Sequence, residues 1–309
     1  MKRIILFLIA FLLIISSIIK VSEANGQPIR VFVSILPQAY FAEQIGADRV
    51  SVDVLVEPGK DPHTFDPTPR QMMALSEARL YFAIGLSFEN RIIKKMQSIN
   101  QKVIIVHTDR GIDKRPLDIS GNGEQQDEGL QHAPGADHHV ERHHHTEGEL
   151  DPHIWLAAPE IEIQVKNICD ALINVDPSAK DEYRRNLDRF LKELKEVHAK
   201  LLKLFKPYRG RPFFVFHPSF GYFADAYGLR QVPIEIEGKS PTPRQIEDLI
   251  KEAKRQDIQI IFVSPQFSQK SAEIIARAIG GTVIPIDPLE KNVLENLENI
   301  AVKIQRSLK

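Results

Sequence analysis

Histidine follows Asp-Pro twice in this chain, as Asp61-Pro62-His63 in "DPHTFDPTP" and as Asp151-Pro152-His153 in "DPHIW". A third histidine, His217, comes directly after the apolar run "FFVF", and Asp287 comes directly after "TVIPI". Proline adjoins each of the four: Pro62, Pro152, Pro218 and Pro288. Its fixed φ restricts the unfolded loop, so each donor is presented from a stiffened turn. Three imidazole nitrogens and one carboxylate oxygen make a four-coordinate shell suited to Zn²⁺. Any one of these residues could be ordinary packing. Four of them at such positions predict a metal site.

The elements that must position them read as follows. "IRVFVSI", "VSVDVLV", "LYFAIG" and "VIIVH" predict strands in the first half, with helices at "QAYFAEQIG" and "TPRQMMALSEA" between them. "FFVFH", "IQIIFV" and "TVIPI" predict strands in the second half, separated by the helical patterns "TPRQIEDLIKEAKRQ" and "QKSAEIIARAIGG". This alternation predicts an α/β fold of two similar lobes, each a parallel sheet flanked by helices. Ligands of open α/β sheets bind outside the carboxyl ends of the strands, where His63, His217 and Asp287 fall. His107 also ends a strand but has no stiffening proline, and is read as structural. Both halves start a helix with Thr-Pro-Arg-Gln, at Thr68 and Thr242, which we attribute to shared capping chemistry.

Between the halves, Tyr183, Leu187, Phe190, Leu191, Leu194, Val197, Leu201, Leu204 and Phe205 recur at three-to-four spacing. They predict one long amphipathic helix of roughly 40 Å, opened at Asp176-Pro177 and stopped at Pro207. His198 lies on it and carries no expected role. Residues from about 113 to 150 lack hydrophobic periodicity and are rich in Gly, Asp, Glu and His, a composition that does not fold by itself. This acidic loop holds His132, His138, His139, His143, His144 and His145, six of the eleven histidines, and reads as a set of auxiliary, weak metal sites.

The formal charge of −1 gives no basis for neutralising nucleic-acid phosphates. Lys2 and Arg3 precede an apolar run from Ile4 to Ile19, and "SEA" at residues 22–24 supplies small residues, the order of a secretory signal peptide cleaved after Ala24. Retention of that run as a membrane anchor is the alternative. The single cysteine, Cys169, rules out an internal disulfide and reads as a buried, inert thiol.

"DPHTFDPTP", "DPHIW", "FHPSFGYFA" followed by "QVPIEIEGKSPTP", and "IDPL" together resemble the signature segments of the metal-specific solute-binding proteins of ABC transporters, cluster A-I. The resemblance runs from Ile29 onward, leaving out the acidic loop. It implies a rigid backbone helix (176–206) joining an N-terminal lobe (25–175) to a C-terminal lobe (207–309). It also implies metal ligands at His63, His153, His217 and Asp287. Histidine at the third of these, with a His-rich loop, resembles the zinc-uptake branch, since manganese-specific relatives carry glutamate there. "FVSPQFS" departs from the pattern in lacking an acidic residue near Ser264. The implied function is capture of Zn²⁺ outside the cytoplasm, by a monomer, and delivery to a membrane permease. A manganese-binding relative, a metal-dependent adhesin and a secreted zinc hydrolase are the rival readings. No HExxH occurs to support the last.

Overall fold

The computed structural model describes residues 27–118, 150–235, 241–267 and 269–308. The predicted signal segment and the six loop histidines lie outside these residues. The first half runs β1 (Ile29–Val33), α1 (Leu36–Gly46), β2 (Val50–Val54), α2 (Pro69–Ser76), β3 (Leu80–Ala83), α3 (Glu89–Ile99), β4 (Ile104–His107) and α4 (Ala158–Val175). Helix α5 (Lys180–Phe205) follows. The second half runs β5 (Pro212–Val215), α6 (Gly221–Tyr227), β6 (Arg230–Pro233), α7 (Pro243–Arg255), β7 (Ile260–Val263), α8 (Lys270–Ala278), β8 (Thr282–Pro285) and α9 (Val293–Ser307).

Two four-stranded parallel sheets result, ordered β2-β1-β3-β4 and β6-β5-β7-β8. Counted within its own half, each has the order second, first, third, fourth. Each therefore reverses direction beside its first strand, and a crevice opens there at the carboxyl ends. The likeness extends to the helix starts. Thr68 and Thr242 each cap with the side-chain oxygen on a Gln N–H three residues on, and Gln71 and Gln245 reach back to the Thr N–H at 2.9 and 2.8 Å.

Alternate residues of β5 face opposite ways, as a strand requires. Phe213 and Val215 join a large core that continues through α4, α5 and α9 into the first sheet. Phe214 and Phe216 join a smaller core under α7 and α8. Helix α5 is the shared element. Near its start Phe190 meets Phe41 edge-on at 6.0 Å, and at its end Phe205 meets Phe223 at 5.8 Å. Its 26 residues span about 39 Å, enough to pack on both lobes.

Strand β6 and helices α3, α6 and α9 add to the sequence expectation. Strand β6 is a four-residue edge strand ending in proline, a segment whose own propensity is weak and whose pairing with β5 comes from the sheet. Pro116 and Leu150 pair in an antiparallel bridge, and Asp151 N–H donates to Arg115 C=O at 2.9 Å. The chain thus leaves and re-enters the first lobe at one place, directly before His153.

Candidate metal centre

Asp61 makes the turn that carries His63. Its Oδ1 accepts the His63 backbone N–H at 2.8 Å, and Pro62 sets the first position of a short 3₁₀ turn. Asp151 does the same for His153, accepting its N–H at 2.9 Å. There it also accepts from the His153 ring nitrogen Nδ1 at 2.7 Å. His217 follows β5, and its Nδ1 donates to Glu235 Oε1 at 2.6 Å. A carboxylate can only accept, so Nδ1 carries a proton in both rings, and in the neutral form of each Nε2 is left with its lone pair. Carboxylates behind histidines fix ring orientation and raise ligand basicity at metal sites.

The three rings converge. Ring centres lie 4.7 Å apart for His63 and His217, 5.3 Å for His153 and His217, and 5.7 Å for His63 and His153. One nitrogen from each falls within 4.8 Å of the other two. Nitrogens of a tetrahedral zinc shell stand about 3.3 Å apart, so small side-chain rotations close the set. His217 Nε2 is buried and has no hydrogen-bond partner among the described residues. Burial pushes the His217 imidazole below its ordinary pKa, with His153 adding to this and the Glu235 hydrogen bond opposing it. The ring is therefore neutral at pH 7, the form that binds metal.

The space between the rings is about 20 Å³, walled by Leu86, Trp155, Phe267, Pro288 and Leu289. His217 stacks on Phe267 at 4.5 Å. Trp155 Nε1 donates to Pro288 C=O at 2.8 Å, tying the His153 turn to the loop after β8. Leu86 is held from behind by Glu89, whose buried carboxylate accepts the N–H groups of Ile84, Gly85 and Leu86 and the Ser34 hydroxyl. Burial raises the Glu89 pKa to about 7 against these bonds.

Asp287 stands apart from the three histidines. Its Oδ1 accepts from Gln266 Nε2 and from Leu289 N–H, both at 2.9 Å, and it lines an adjoining cleft of about 80 Å³ with Glu57 and Glu290. Gln266 borders both spaces. His107 is exposed, with Asp109 3.9 Å away. His198 approaches Tyr227 Oη at 3.3 Å on the flank of α5. Cys169 is buried, its thiol pushed up to about 11, chiefly by burial. Ser264 is buried and its carbonyl accepts the Phe267 N–H, so a tight turn occupies the place where an acidic residue was expected. The sequence reading passed over Asp151, Glu235 and Gln266 as site residues. All three sit inside quoted segments, Asp151 in "DPHIW", Glu235 in "QVPIEIEGKSPTP" and Gln266 in "FVSPQFS".

Residues 31–304 match the sequence profile described as zinc-uptake complex component A, periplasmic. The high-affinity zinc uptake system protein ZnuA of Bacillus subtilis is 28% identical over 272 residues, covering 87% of this chain and 81% of that protein. A crystal structure of ZnuA superposes with a TM-score of 0.80 at 36% identity, covering 92% of this chain and all of the other. A zinc-bound ZnuA lacking residues 138–173 of its own chain superposes with a TM-score of 0.79 at 37% identity, covering 92% and 99%.

Proposed function

Since the chain belongs to the family of periplasmic zinc-uptake components, we propose that His63, His153 and His217 hold the zinc ion it carries, with Asp287 serving the same centre from the C-terminal lobe. The observation that carries this reading is His217 Nε2, buried and with no hydrogen-bond partner among the described residues, in a ring grouped with two further imidazoles. The family is one of solute-binding proteins that supply an ABC permease, not of enzymes, and its cargo is Zn²⁺. Three imidazoles suit zinc, whereas manganese prefers carboxylate, carbonyl and water oxygens. A space of about 20 Å³ between apolar walls has room for one ion and none for an organic substrate.

Zinc binding draws on both lobes. His63 and His153 come from the first, His217 and Asp287 from the second, and an ion between them ties the lobes together. The carboxylates of Asp151 and Glu235 keep the two buried rings in the ligating tautomer before the ion arrives, which lowers the ordering cost of binding. The family works outside the cytoplasm, and no helix among the described residues is long and apolar enough to cross a membrane. The mature chain begins near Asn25 after cleavage at Ala24, and acts as a monomer. Intact-mass analysis of the exported protein tests the first point and light scattering the second.

Zinc titration of the purified mature chain tests the centre. One tight equivalent is expected, and at 1,000 times Kd it stabilises the fold by about 4 kcal/mol. Undiminished tight binding after His217→Ala would overturn the assignment.

A further inference from the structure

Three buried side-chain atoms that find no hydrogen-bond partner among the described residues belong to residues lining the same cavity: His217 Nε2, Ser219 Oγ and Gln266 Oε1. Buried polar atoms without partners are rare and call for a reason. His217 Nε2 has one in the zinc site. Gln266 Oε1 has the better claim of the other two, because its amide is held in one orientation. The Asp287 carboxylate can only accept, so the Gln266 NH₂ group must face it, as the 2.9 Å bond from Nε2 to Oδ1 shows. The amide oxygen is thereby turned away from Asp287, and the residue lines both the Asp287 cleft and the histidine cavity.

We propose that Gln266 Oε1 is the fourth donor to the zinc ion, and that Asp287 acts on the ion through this amide and not by direct coordination. The inference rests on the three-histidine reading of the centre. Three carboxylates then play one role. Asp151 stands behind His153, Glu235 behind His217 and Asp287 behind Gln266, each accepting an N–H from a neutral donor. The carboxylate hydrogen bond polarises the amide and strengthens its oxygen as a donor, as it does for an imidazole. Asp287 is itself fixed by the Leu289 N–H and is not part of the set of ligand atoms within 4.8 Å of one another. An uncharged shell backed by carboxylates holds the ion without a direct ionic bond, which suits a cargo that must be released.

The test is a double-mutant cycle on the full mature chain, with zinc affinity from chelator competition and the visible spectrum of Co²⁺ in place of zinc. Gln266→Ala should weaken zinc about 10–100-fold and change the Co²⁺ bands, because water takes the fourth place. Asp287→Asn should weaken zinc about tenfold or less with the band pattern kept, and should cost nothing further in the Gln266→Ala background. Unfolding temperatures without metal identify any variant that fails to fold. Asp287→Asn provides a near-isosteric arm if Gln266→Ala does fail. Parent affinity in Gln266→Ala overturns the proposal, as does an undiminished Asp287→Asn loss in that background. A matching loss in Ser219→Ala in place of Gln266→Ala overturns it in favour of the hydroxyl. Loss of tight binding in His217→Ala, measured alongside, shows that the three-histidine centre stands even where Gln266 is wrongly assigned.

Discussion

The two Asp-Pro-His turns are the same tripeptide in two surroundings. The aspartate cap agrees: Asp61 and Asp151 each accept the histidine N–H two residues on, at 2.8 and 2.9 Å, although the 3₁₀ turn begins at Pro62 in the first and at Ile154 in the second. Their surroundings do not. His63 is exposed at the rim, whereas His153 is only 3% exposed and Asp151 is fully buried. Asp151 therefore has to satisfy more than a turn. Its Oδ1 also takes the His153 ring, and Oδ2 lies 3.5 Å from Arg115, which bridges on to Asp118 and to Asp225 of the other lobe. The same three letters give an exposed rim imidazole in one place and a buried imidazole held by a carboxylate in the other. The motif sets the turn, and burial sets the role.

The largest effects should come from losing a ring. Each of His63→Ala, His153→Ala and His217→Ala should weaken zinc by about a hundredfold or more, taking apparent zinc energies of roughly 10–16 kcal/mol over four ligands. The comparison is sharpened by the zinc-free proteins. His63→Ala should unfold within about 0.5 kcal/mol of the parent, whereas His153→Ala should lose on the order of 1–3 kcal/mol by leaving Asp151 buried and underpaired. Denaturant melts of the two variants check this, and equal stabilities would break the distinction between rim and floor.

Next come the aspartates. Asp151→Asn should cost about 10–100-fold in zinc affinity, because it weakens the group that orients a ligand. Asp61→Asn should change it by about threefold or less, since asparagine caps such turns as well as aspartate does. Chelator competition on the pair decides whether the ring contact matters beyond the shared turn.

A smaller effect belongs to pH. Burial holds the His217 pKa below its ordinary 6.5. Below pH 6.5 the unfolded chain takes up this proton before the folded one, so zinc-free stability is full above 6.5 and falls as pH drops toward the folded value. His217→Ala should flatten that slope, as thermal melts across pH 5–7 would show. Smallest of all should be removal of residues 121–148. Pro116 and Leu150 already pair at the base of this segment, so the tight zinc event and the folded core should be unchanged while stoichiometry at excess zinc falls. Calorimetry on the deletion variant checks both.

What the sequence determined by itself was local or periodic. Strand and helix alternation gave two parallel α/β halves, three-to-four spacing gave α5, and Thr-Pro-Arg-Gln gave two matching helix starts, because each depends on residues a few positions apart. Asp before Pro-His likewise determined two capped turns. Tertiary structure alone decided which histidines meet. His63, His153 and His217 are brought together by the packing of two sheets along one helix, while His107, at an equally plausible strand end, stays exposed. It also decided that Glu235 stands behind His217 and that Gln266 donates to Asp287. Those contacts join residues 18 and 21 positions apart across separate loops, and no local pattern encodes the direction in which such side chains point. Direction depends on which groups share a buried space, where every donor and acceptor must find a partner.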